Sequence, residues 1–145
     1  IKHIPGHGLA KVDSHHFTPT INKTLNHLKK NDFKTFMSKN SLFAMTAHVI
    51  FKKIDPKNTV THSKKMIKII RNQIRFKNLL ISDDISMISL KYSIEENTKK
   101  TFDAGCNLAL HCNGKLKEMT IVAENSPKVN SFILKKTSEF YNNLR

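Results

Sequence analysis

The chain has 145 residues, enough for one ordinary domain with a sizeable core. It carries 25 Lys and Arg against 11 Asp and Glu, a formal net charge of +14. No apolar run approaches the ~20 residues that cross a bilayer, and no basic start leads into an apolar core with a cleavage site, so neither a membrane helix nor a signal peptide is expected.

Such a charge excess raises nucleic acid as a partner, because clustered cations neutralise phosphates and release counterions. Here the cations are scattered: Lys29, Lys30, Lys34 and Lys39, then Lys64, Lys65 and Lys68, then Lys99, Lys100, Lys115, Lys117, Lys135 and Lys136. That spacing suits the solvent faces of several amphipathic helices, and few aromatics sit among them to stack bases. A nucleic-acid function is not expected; a basic polyanion binder, its affinity collapsing with salt, stays as an alternative. Cys106 and Cys112 are expected as two buried thiols in a reducing compartment, since no second cysteine pair exists.

In chain order, Lys2-His3-Ile4-Pro5-Gly6-His7-Gly8 packs a Pro-Gly turn among histidines, and Asp13-Ser14-His15 follows. The chain opens on Ile1 with this segment at its extreme start, which predicts a piece of a longer protein. A helix is expected between Asn22 and Ser38. The apolar run Leu42 to Phe51 reads as a strand buried on both faces, broken by Asp55-Pro56. Met66, Ile67, Ile70, Ile74 and Phe76 recur at helical spacing from Ser63 to Phe76, with Thr61 or Ser63 as cap. Leu79 to Asp83 is a short strand ending in acids. A helix from Ile94 to Ala104 stops at Gly105, and Leu108 to Cys112 is a third strand before the Asn113-Gly114 turn. Two helices close the chain, Leu116 to Asn125 and Val129 to Leu144, the latter with Phe132, Ile133, Phe140 and Leu144 on its apolar stripe.

Alternation of buried strands with helices predicts an α/β class with parallel strands, in which ligands sit beyond the strands' carboxyl ends. Asp83 and Asp84, His48, His111 and Asn113, and the loop from His3 to His15 all fall at such ends. Four edges on one rim suggest a barrel, incomplete in this chain. Asp13 and His15 flank Ser14, so an extended loop projects both to one side, where the Asp can orient the imidazole and stabilise its charged form. Taken singly these residues also suit structural roles: Gly6 supplying a positive φ, Asp13 an Asx-turn, His48 a hydrogen bond beneath the site, Arg71 a brace for its helix. The histidines His3, His7, His15 and His16 match no common metal-ligand spacing, so no metal or other cofactor is expected.

Five ordered blocks carry a resemblance: Lys2 to Gly8, Asp13-Ser14-His15, Met45-Thr46-Ala47-His48, Ile81-Ser82-Asp83-Asp84-Ile85-Ser86-Met87, and Ala104-Gly105-Cys106-Asn107. Together, from Lys2 to about Pro127, they resemble the second half of the NagZ-type β-N-acetylglucosaminidases of glycoside hydrolase family three. The resemblance implies the C-terminal portion of one (β/α)8 catalytic barrel spanning all 145 residues, its N-terminal half missing. It implies a retaining exo-hydrolase that removes terminal β-linked N-acetylglucosamine from muropeptides during cytoplasmic peptidoglycan recycling, monomeric when full length and needing no membrane partner. Position by position, Asp83 would be the nucleophile, His15 the general acid/base, Asp13 its dyad partner, and Lys2 and His3 would bind sugar hydroxyls. Asp84 is expected to brace the following loop. Asn107 stands where an acidic residue is common and Arg75 where Gly is common. The upstream half that completes such a site is absent, so the fragment alone is expected to be inactive, and a non-catalytic sugar-binding role is the alternative.

Overall fold

The computed structural model describes residues 1–143. Short parallel strands and helices alternate along the chain: β1 (Thr20–Ile21), α1 (Leu25–Lys30), β2 (Phe43–Met45), β3 (Ile50–Phe51), α2 (Lys64–Asn72), β4 (Leu79–Asp84), α3 (Ile94–Ala104), β5 (Leu108–Leu110), α4 (Leu116–Glu124) and α5 (Ser131–Asn142). Short 3-10 turns lie at Phe33–Phe36 and Val60–His62. A three-stranded sheet runs in the order β2-β4-β5, and β1 pairs with β3 in a second sheet. Every pairing is parallel, in keeping with an α/β class. Residues Ile1 to Ile4 extend the larger sheet on its β2 side: the Met45 amide donates to the Ile1 carbonyl (2.9 Å), and the Ile4 amide to the Met45 carbonyl (2.7 Å).

The core lies between these strands and α2. Met66, Ile67, Ile69 and Ile70 of α2 are buried, and around them pack Ile4, Leu28, Phe33, Ala44, Phe51, Val60 and Leu80. Phe33 meets Phe51 edge to face, ring centres 5.7 Å apart. Ser63 begins α2: its hydroxyl accepts from the Met66 amide (3.2 Å) and donates to Asp55 (2.6 Å), so the capping side chain is itself held. Gly105 ends α3 at a φ of 112°, and a Cβ there would stand 3.1 Å from the Ile67 side chain. Glycine therefore serves both the left-handed cap and the close packing of α3 on α2.

Three expectations need correction. The apolar run Leu42 to Phe51 is two strands in different sheets, because the chain leaves the sheet at Thr46 and β3 turns to β1. Thr46, Ala47, His48 and Val49 are all fully buried, so the run records burial rather than one extended strand. The expected helix from Asn22 to Ser38 is a six-residue helix and a separate 3-10 turn, interrupted at Asn31 and Asp32. Its side chains explain the break: the Asn31 amide folds back onto the His27 carbonyl (2.8 Å), a local bond that competes with helix continuation. Finally, only Cys106 is buried; β5 ends at Leu110, leaving Cys112 exposed in the following loop, and both thiols are free. The expected Leu144 position of the last apolar stripe lies outside the described residues.

Candidate active site

Two loops and one strand end bring the predicted residues together. The bonds that align Ile1 to Ile4 with β2 deliver Lys2 and His3 to the carboxyl end of the sheet. Pro5-Gly6 then reverses the chain, with the Gly6 amide on the His3 carbonyl (2.9 Å). Gly6 has a φ of 146° and a Cβ there would lie 2.9 Å from the Cβ of Asp32, so only glycine fits this turn. Lys2, His3, His7, Asp13, His15 and Asp83 line one open cleft of about 440 Å³.

Asp83, the penultimate residue of β4, faces this cleft, its Oδ2 lying 3.5 Å from His3 Nε2. The other carboxylate oxygen accepts from the Asp84 amide (2.9 Å), which fixes the side chain's rotation. Asp84 turns away, as its position predicted, and accepts from the amides of Ser86 (3.0 Å) and Cys112 (3.2 Å). Neighbouring carboxylates thus diverge, one left open to the cleft and one spent on holding two loops.

Asp13 and His15 form the second half of the site. Asp13 Oδ1 accepts from the His15 amide (2.9 Å) and lies 2.8 Å from His15 Nδ1. Bonded twice by one residue, the Asp13 carboxyl is held below its ordinary pKa, by the backbone bond first and the ring bond second. The same ring bond raises His15, and the Asp83 and Asp84 charges add to the effect. With Nδ1 committed to Asp13, Nε2 is the nitrogen left to exchange protons. His15 and Asp13 retain 72% and 61% side-chain exposure, so this pair rides on a loop that solvent reaches. His3 is shifted the other way: burial lowers its pKa against the raising influence of Asp83.

Beneath the cleft runs a polar network that spacing alone did not reveal. Fully buried His48 places Nε2 on the Asp84 carbonyl (2.9 Å) and Nδ1 on Thr61 Oγ1 (2.7 Å), and Thr61 meets Thr46 Oγ1 at 2.9 Å. His48 therefore supports the backbone that carries Asp83, as its structural reading predicted, but from below the rim rather than on it. His111 and Asn113 do not line the cleft either. Both bond Glu118, at 3.0 and 2.6 Å, because α4 returns past the end of β5 and offers them a carboxylate. These bonds pull Glu118 down to about 2, the His111 contact contributing most. Among the described residues no group of three metal-binding side chains comes together.

A parallel α/β fold, with a carboxylate and a carboxylate-backed imidazole on one cleft at the strands' carboxyl ends, places the chain among the parallel α/β domains whose sites form at that end of the sheet. Residues 1–135 match the model of the glycosyl hydrolase family 3 N-terminal domain, and the chain belongs to that family, whose fold is TIM-barrel-like. A beta-hexosaminidase of Idiomarina loihiensis is 31% identical over 130 residues, covering 87% of this chain and 39% of that protein. A beta-hexosaminidase of Neisseria meningitidis serogroup C is 35% identical over 117 residues, covering 77% and 32%. The structure of NagZ from Neisseria gonorrhoeae in complex with N-trifluoroacetyl-D-glucosamine superposes with a TM-score of 0.80 at 27% identity, over 94% of this chain and 40% of that one. The chain thus spans less than two fifths of the length of these two curated relatives.

Proposed function

We propose that the complete protein is a retaining exo-β-N-acetylglucosaminidase and that these 145 residues form the C-terminal part of its catalytic barrel. The observation that carries this reading is the meeting of Asp83 with the Asp13–His15 pair on one cleft. Asp83 attacks the anomeric carbon while the glycosidic C–O bond breaks, and His15 Nε2 gives its proton to the leaving oxygen. In the second step His15 takes a proton from water, which displaces Asp83 and restores both groups. Asp13 stabilises the imidazolium and fixes the ring; Lys2 and His3 donate to sugar hydroxyls.

The names of the relatives support N-acetylhexosamine as the sugar, and the ligand of the NagZ structure is a close analogue of it. The proposed substrates are muropeptides of cytoplasmic peptidoglycan recycling, handled by a monomer without cofactor, nucleic acid or membrane.

The test follows the anomeric proton of the first product by NMR in the complete protein. The β-anomer should appear first, and Asp83→Asn should lower kcat by at least about a thousandfold with folding unchanged. An α-anomer as first product, or turnover retained in Asp83→Asn, rejects the assignment. Faster hydrolysis of a muropeptide than of a simple aryl N-acetylglucosaminide bears on the natural substrate.

A further inference from the structure

A second cavity, sharing no lining residue with the candidate active site, lies between the loop after Asp83 and the segment from Lys57 to His62. Its volume is about 70 Å³, several times the ~15 Å³ that one water needs. Three of its lining residues carry polar atoms with no hydrogen-bond partner among the described residues: Thr59 Oγ1, His62 Nε2 and Ser89 Oγ. All three residues are nine-tenths or more buried, with 5%, 9% and 1% exposure. Native proteins leave few buried polar atoms unsatisfied, so three around one cavity point to an occupant.

Charge decides which occupant. Lys57 and Lys91 also line the cavity, and no carboxylate does. The acid close by in sequence, Asp55, is already saturated: the amides of Lys57 and Asn58, the Asn58 side chain and the Ser63 hydroxyl all donate to it. Lys100 stands over the Tyr92 ring at 4.3 Å, and its charge also reaches His62. What remains uncommitted is two hydroxyls, one ring nitrogen and two ammonium groups, a set rich in donors and positive in sign. A neutral polyol would leave the ammonium groups unused, whereas a small oxyanion takes donors from every side.

We propose that this cavity binds a small tetrahedral oxyanion, either free phosphate or the phosphate group of a larger molecule. Thr59 and Ser89 donate through their hydroxyls, Lys57 and Lys91 supply the countercharge, and His62 Nε2 meets the protonated or unprotonated oxygen as the ligand requires. The site has a structural connection to the catalytic loops: the Thr18 hydroxyl, shortly after the Asp13–His15 pair, donates to the Ser89 carbonyl (2.8 Å).

Isothermal titration calorimetry on the complete protein, with inorganic phosphate and separately with glucose 6-phosphate, tests the proposal. Saturable one-to-one phosphate binding is expected, weakened about tenfold in Ser89→Ala and in Lys91→Ala, and unchanged in Lys135→Ala, which does not line the cavity. Each variant's thermal midpoint is measured alongside to show that it folds. Binding of glucose 6-phosphate as well supports the phosphate group of a larger molecule; binding of phosphate alone supports the free ion. Absence of saturable heat with either ligand means that water fills the cavity and overturns the site. Affinity equal in all variants means an adventitious ion only, and overturns it too.

Discussion

His15 and Asp13 are separated by one residue, yet the loop around them makes each a different acid from its free form. Asp13 is held low and His15 raised by one shared contact, so near neutrality the carboxylate stays charged while the imidazole keeps its proton to higher pH. The sign follows for the proposed reaction: the general acid works below its pKa, so activity falls as pH rises through the His15 value. Asp13→Asn removes the charge and should return that pKa toward its ordinary level. The alkaline limb of the kcat/KM profile is therefore expected to move to lower pH, with a loss of about 10- to 1000-fold in kcat on substrates with poor leaving groups. A pH–rate series on the complete protein checks both; an unmoved limb would show that another group controls it. This pair was legible in the sequence because both partners lie within one loop, where alternate residues project to one side. His48 was legible as a hydrogen-bonded residue beneath the site, but its partners were not, since Thr61 and Asp84 come from elements remote in the chain.

Arg71 and Arg75 show what the same residue type does at the two sides of one helix end. Arg71 leaves α2 to donate to the carbonyls of Phe76 (3.0 Å) and Asn78 (2.6 Å) and to Asn107 Oδ1 (2.7 Å), while that same oxygen accepts from the Leu80 amide (2.9 Å). One guanidinium thereby ties α2 to the entry of β4 and to the residue before β5, as the reading of Arg71 as a brace predicted. Burial lowers its pKa, and three oxygens accept its donors. Arg71→Ala strands two half-buried carbonyls and takes one of two donors from Asn107 Oδ1, and is expected to cost about 1–3 kcal/mol in denaturant unfolding. Asn107, where an acid is common, serves as the acceptor of this brace and lies outside the cleft. Arg75, where glycine is common, has a φ of 64° in the tight passage from α2 to β4. An L-residue there is strained, so Arg75→Gly should stabilise by about 0.5–1 kcal/mol in the same assay; a loss would show that the arginine side chain contributes more than its backbone costs. At this scale α3 was legible from period and stop and β4 from its apolar run into acids, whereas α2 was legible from period and its Ser63 cap but stops at Asn72, short of the expected Phe76, because Arg75 turns to a positive φ. The run Leu42 to Phe51 misled because full burial erases the alternation by which a strand announces itself.

Across the whole molecule, acid acts on a chain that already carries a net +14 and holds eight histidines. Added positive charge strengthens a repulsion that salt screens. His62 behaves differently. Burial lowers its pKa to about 4, and the nearby His48 and Lys100 push in the same direction, while a hydrogen bond with the Asn97 backbone opposes them. The unfolded chain thus binds this proton near pH 6.5 and the folded chain only near pH 4, so stability is complete above about pH 6.5 and declines as pH falls toward about 4. The loss attributable to His62 is on the order of 2–3 kcal/mol, an upper figure because partial opening lets the ring charge in contact with water. His48 is lowered by burial as well and adds to the same slope. Urea unfolding of the complete protein, in phosphate-free buffer across this range and at low and high salt, separates the two causes. The surface repulsion should recede with salt, whereas the buried-histidine slope should persist and shrink in His62→Gln. A profile flat from neutrality to about pH 4 in high salt would mean that His62 titrates normally and that its surroundings admit water.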